Sequence, residues 1–174
     1  YDTMQTVIGW AHESVGSLKE FGVGYDELPM RDGRVDLDGI DRIVTAQTKM
    51  ALVQRSRGYS EREPLSIEDI RTVSARIKAA NPNCIVFVDN CYGEFVDRME
   101  PTEVPTVDII AGSLIKNPGG GLAPTGGYIA GRDDLVEMAS YRLTAPGMGD
   151  ELGASLVSSR LLYQGLFLAP HVVA

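Results

Sequence analysis

Histidine, cysteine and tryptophan are scarce in this 174-residue chain, at two, two and one. His12 and His171 have no partner pattern of ligating residues, which argues against a histidine- or cysteine-built metal centre. Cys84 and Cys91 fall at the two ends of one predicted strand and face away from mutual pairing, so both are expected as reduced thiols. Cys84 is expected to pack in the interior, whereas Cys91 lies where it could line a site. Basic charge is also short, with 16 Lys and Arg against 24 Asp and Glu and a net charge of -8. A phosphate backbone or an anionic membrane surface rewards clustered cations, so neither nucleic acid nor membrane is expected as a partner. No apolar run is long enough to span a bilayer and no basic-then-apolar leader opens the sequence, which sets a cytoplasmic expectation. Internal repeats and low-complexity tracts are absent.

What is present suffices for a folded domain. Hydrophobic residues make up 44% and charged residues 23% of the chain, enough to bury one substantial core. The sequence Gly16-Ser-Leu-Lys-Glu-Phe-Gly22 predicts a short helical turn closed by glycine, and Val23 to Leu28 a short strand before Pro29. Met30 to Val35 reads as a turn. Asp36 opens a helix whose face carries Leu37, Ile40 and Val44. Lys49 to Gln54 reads as a buried strand, followed by a polar loop from Arg55 to Pro64. Ser66 with Asp69 three residues on is a helix-starting box, Ile67, Ile70, Val73 and Ile77 line one face, and Asn81-Pro82 ends the helix. Strands are then expected over 84–88, over 107–113 and over 127–131, helices over 133–142 and over 151–165, with a break at 144–150. This alternation gives an α/β class with a mostly parallel sheet flanked by helices.

Two stretches carry the chemistry. Cys84-Ile-Val-Phe-Val-Asp89 is an unbroken apolar run ending in an acid, the pattern of a strand buried on both faces that delivers a carboxylate to the sheet's rim. Val107-Asp-Ile-Ile-Ala-Gly-Ser113 repeats it and leads into Lys116. An acid at one strand end and a lysine past the next are the two charges that pyridoxal phosphate requires. The acid holds a proton on the ring nitrogen, and the amine holds the aldehyde. Partial removal from water and nearby cations are expected to make the Lys116 ammonium easier to deprotonate. Tyr92 is placed to bring its phenol near the ring hydroxyl, and Ser113 to donate to the phosphate. Singly, each residue has a plainer role: a strand-end aspartate can be a metal ligand, a ribose ligand or a cap, a tyrosine can pack, and a serine can cap a turn. The glycine-rich stretch from Asn117 to Gly127 lacks the Gly-Lys-Ser or Gly-Lys-Thr ending of a nucleotide loop; close backbone approach to the cofactor and mobility after the lysine are expected of it. Arg55, Arg57 and Tyr59 follow a strand's carboxyl end, where open parallel sheets bind ligands, although a solvated loop is the plainer reading.

Asp89-Asn-Cys-Tyr92 followed by Ser113-Leu-Ile-Lys116 resembles the Asp-x-x-Tyr and Ser-x-x-Lys pair of the aspartate aminotransferase fold, fold type I. The longer strings Val86 to Phe95 and Ala111 to Gly131 closely resemble the aluminium resistance proteins, which are cystathionine- and methionine-lyase-like enzymes of sulfur amino-acid metabolism. The resemblance implies a lyase dependent on pyridoxal 5'-phosphate, with Lys116 catalytic and Asp89, Tyr92, Ser113 and Lys116 binding the cofactor. The reaction implied is elimination of a thiol from a small amino-acid substrate to give a keto acid and ammonia. It further implies that residues 1–150 belong to a cofactor-binding large domain whose amino-terminal part precedes Tyr1. Residues 151–174 would begin a helical connection to a small domain, the fragment would have little activity alone, and the intact protein would be a homodimer or homotetramer. Tyr1 falls near where the lyases set an aromatic against the cofactor ring, and the loop after Gln54 departs from the lyases in lacking their Asn-Pro pair. An aminotransferase shares all four site residues and is the nearest alternative; a non-catalytic cofactor-binding protein on the same scaffold is the other.

Overall fold

A computed structural model describes residues 2–10, 15–153 and 159–174. Tyr1, His12 and Leu156 lie outside the described residues. Helix α1 (Asp2–Ile8) comes first, and a short 3-10 turn over Leu18–Phe21 ends at Gly22, whose φ of 77° meets the left-handed requirement of that cap. The segment from Val23 to Leu28, expected as a strand, is irregular: Val23 is exposed and, among the described residues, no neighbouring strand pairs with the segment. A two-residue bridge between Arg31 and Arg34 makes the expected turn.

The centre is an α/β sheet. Strands β1 (Met50–Gln54), β2 (Ile85–Asp89) and β3 (Ile109–Ser113) run parallel in that order, and β4 (Gly127–Gly131) closes the edge antiparallel to β3. Between β1 and β2 runs α3 (Ile67–Ala80), started by a complete capping box in which Ser66 and Asp69 satisfy each other's backbone amides. It packs beside α2 (Leu37–Ile43), whose cap is Asp36 accepting from the Gly39 amide. The core fills the space between these helices and one sheet face, with Ile40, Val44, Ile70, Val73 and Ile77 against Val53, Val86, Val88 and Ile110.

Strand alternation divides the two faces. Val86 and Val88 are fully buried on the helix side, while Ile85, Phe87 and Asp89 on the other side are half-buried. The expected two-sided burial of β2 is therefore one-sided among the described residues, and β1 is an edge strand with Met50 and Leu52 exposed. Asp108, just before β3, is a buried anchor: its carboxylate accepts from the Val86 amide at 2.7 Å and pairs with Lys78 at 2.6 Å and Arg132 at 3.0 Å.

Helix α4 (Asp133–Ser140) follows β4, and α5 (Ser159–Val173) ends the chain. The helix expected to stop at Gly165 runs through it. Gly165 is a contact point, because a Cβ there would lie 2.2 Å from the Gly119 carbonyl oxygen. The glycine-rich stretch thus makes its close backbone approach to α5, and Gly120, with φ of 51°, supplies the turn that allows it.

Candidate functional site

The carboxyl ends of β2 and β3 carry the site. Pairing of Asp89 with Ala111 sets these two ends side by side, so Asp89 and the loop after Ser113 emerge from the same rim of the sheet. Lys116 follows in that loop, with its amide donating to Ser113 O and its carbonyl accepting from Gly119. The two charged groups converge on one thiol. Cys91 is 8% exposed, and its thiol lies within electrostatic reach of both Asp89 and Lys116. Asp89 Oδ1 also accepts the Cys91 amide at 3.1 Å. The Lys116 ammonium stands 4.5 Å from the centre of the Tyr92 ring, within cation–π range. Tyr92 is more than half exposed, and Ser113 is half-buried at the end of β3. All four residues singled out in the sequence therefore share one end of the sheet.

Electrostatics differ from the expectation for the lysine. Partial burial alone would lower its pKa, but the Cys91 thiol, the Tyr92 phenol and the Asp89 carboxylate prevail and hold the Lys116 ammonium above the usual lysine value. Its neighbours are acids rather than the expected cations. Burial, with Asp89 beside it, pushes the Cys91 thiol up, so this cysteine is a neutral spacer between acid and amine.

Sequence reasoning missed how the turn after Asp89 is held. Tyr92 and Phe95 have φ of 65° and 63°, left-handed values that cost a non-glycine residue of order 1–3 kcal/mol each and persist only where neighbours fix them. Arg55, for which a solvated loop was the plainer expectation, is instead 3% exposed: it donates to Asn90 Oδ1 at 2.8 Å and Gly93 O at 3.0 Å and pairs with Asp97 at 2.5 Å. Gly93 leaves room for this side chain, since a Cβ there would lie 2.4 Å from the Arg55 guanidinium and require it to shift. From the other side Glu94, 4% exposed, accepts the Tyr128 hydroxyl at 2.8 Å, and its carbonyl accepts Asn117 Nδ2 at 3.0 Å. Neither role had a sequence signal beyond an acid between a glycine and a phenylalanine. Arg57 remains exposed, and with Ser56, Pro64, Leu65, Cys91 and Tyr92 it lines a cleft of about 520 Å³ beside the site; Tyr59 is fully exposed and does not line it.

A family model described as methionine gamma-lyase matches residues 1–174. The chain is 49% identical over 176 residues to the uncharacterised protein YnbB of Bacillus subtilis (strain 168), covering 100% of this chain and 42% of that relative. It is 57% identical, with a TM-score of 0.93, to the solved structure of a candidate cystathionine beta-lyase involved in aluminium resistance from Listeria innocua, over 99% of this chain and 42% of that one. A carbon-sulfur lyase involved in aluminium resistance from Clostridium novyi NT is 47% identical, with a TM-score of 0.91, over 99% of this chain and 41% of that one. The chain thus spans less than half the length of these relatives.

Proposed function

The chain belongs to the methionine gamma-lyase family, and from that premise we propose that the complete protein is a pyridoxal phosphate-dependent carbon-sulfur lyase releasing a thiol, a keto acid and ammonia from a sulfur amino acid. The fold is that of the fold type I enzymes of this cofactor. The observation that carries the reading is that Asp89 and Lys116 emerge from the same rim of the sheet, Asp89 bonded to the Cys91 amide and the Lys116 ammonium over the neighbouring Tyr92 ring.

These residues fit the cofactor. Asp89 is the group that would hold a proton on the ring nitrogen, and Lys116 the amine that would hold the aldehyde. Tyr92 is assigned to the ring hydroxyl and Ser113 to the phosphate. When bound, pyridoxal phosphate supplies a sink for the electron pair left as the substrate Cα–H bond breaks. The Lys116 amine, once released by the substrate, takes that Cα proton as general base. Residues 1–150 are read as part of the cofactor-binding domain and 151–174 as the start of the connection to a smaller domain, with a homodimer or homotetramer as the intact form.

The test uses the complete protein with pyridoxal phosphate and either cystathionine, methionine or cysteine, without any amino acceptor. Keto acid and ammonia in equal amounts, lost in Lys116→Ala, are expected. A Lys116→Ala variant that keeps both bound-cofactor absorbance and turnover contradicts the assignment, and a requirement for an amino acceptor makes the protein an aminotransferase.

A further inference from the structure

Glu94 is the one buried side-chain group without a complete set of partners among the described residues: its Oε2 is shielded from solvent and meets no donor. Burial, with Glu100 nearby, pushes the Glu94 carboxyl above its ordinary value despite the Tyr128 hydroxyl and Arg55. An apolar side chain would fill the same space without an orphaned oxygen. A carboxyl there therefore has work other than packing.

Its connections indicate which. Oε1 accepts from Tyr128 on β4, whose hydroxyl also accepts Asn90 Nδ2 at 3.2 Å, next to Asp89. The Glu94 carbonyl accepts from Asn117, next to Lys116. Gly112 on β3 lies so close that a Cβ there would come within 2.4 Å of Glu94 Oε1 and 2.5 Å of the Tyr128 ring. Residue 94 thus ties the acid-bearing turn to the lysine-bearing loop and to the strand beneath them.

We propose that Glu94 is a positioning residue: gripped by Tyr128, it locks the turn carrying Tyr92 to the loop carrying Lys116 and so sets the Tyr92 ring against the lysine ammonium. This rests on reading Lys116 as the reactive amine. Loss of the grip lets the left-handed Tyr92 relax, removing the cation–π contact and freeing the amine to move relative to Asp89.

The experiment compares Glu94→Gln, Glu94→Met and Tyr128→Phe in the complete protein. In the cofactor-free form, the pH dependence of Lys116 modification by an amine reagent, followed by peptide mass spectrometry, reports the amine's pKa. In the loaded form, kcat and KM are measured separately. Glu94→Met and Tyr128→Phe are expected to lower the Lys116 pKa and to reduce kcat by about tenfold to a hundredfold, the scale of small misplacements of a reacting group, with KM nearly unchanged. Glu94→Gln, of the same shape and neutral, retains both properties. Tyr128→Phe removes a single hydroxyl and keeps the test decisive if Glu94→Met does not fold. An unchanged Lys116 pKa and kcat in Tyr128→Phe overturns the proposal. Wild-type turnover by Lys116→Ala refutes the underlying lyase reading instead, so the two failures are distinguishable.

Discussion

Replacing Asp108 by Asn should destabilise the fold and abolish a defined part of its acid sensitivity. Asp108 is 7% exposed, and its carboxylate is bonded to three donors from three elements: the Val86 amide on β2, Lys78 on α3 and Arg132 before α4. An asparagine can still accept from Val86, so that bond is largely kept. The loss falls on the Lys78 contact, a charged hydrogen bond of 2.6 Å with both partners mostly buried, and on Arg132, which is half exposed and screened. Together these amount to roughly 2–4 kcal/mol, most of it from Lys78. Burial acts to raise the Asp108 pKa, but Lys78, the Val86 amide and Arg132 overcome it and leave the carboxyl below its ordinary 3.8. A depressed folded pKa gives stability that is fully present above the unfolded value and is lost as pH falls through the folded one. Urea unfolding of the complete protein, wild type and Asp108→Asn, from neutral to acid pH is the assay. The two curves should be separated at neutral pH and converge in acid. A neutral-pH loss under about 1 kcal/mol, or curves that stay parallel into acid, would refute this reading of the anchor.

Gly165→Ala should detach the α5 contact: helix propensity favours alanine by about 1 kcal/mol, yet the new methyl would sit 2.2 Å from backbone that cannot move aside. Overpacking of that kind costs about 1–3 kcal/mol, so a lower unfolding midpoint is expected, and a raised one would show that α5 does not seat on Gly119. Cys91 should react with iodoacetamide far more slowly than Cys in the unfolded chain and accelerate only at pH above the ordinary thiol range, since burial and Asp89 raise its pKa. Rapid modification at neutral pH, located by mass spectrometry, would place the thiol outside the position between Asp89 and Lys116.

The legible parts were those where local chemistry decides. Ser66 and Asp69 form a capping box whatever surrounds them, and the run from Ile85 to Asp89 has the apolar, β-branched content of an interior strand. The strand-end positions of Asp89 and Lys116 followed from the same runs, so four site residues could be placed at one sheet edge. What could not be read depends on contacts distant in sequence. Whether Gly165 stops a helix or receives Gly119 is decided by a segment more than forty residues away. The β character of Val23 to Leu28 had no partner strand among the described residues to realise it. Arg55 looked like a loop cation because nothing local reveals Asn90 and Asp97, and the Lys116 pKa was misjudged in sign because its acidic neighbours come from another strand end.

Reduction of the complete, pyridoxal phosphate-loaded protein with borohydride, followed by peptide mapping, tests the central assignment most directly, because it fixes the cofactor to the amine that holds it. The reading predicts a single cofactor-bearing peptide with the added mass on Lys116. Label on Lys49, Lys78 or any other lysine, or none at all, would contradict it.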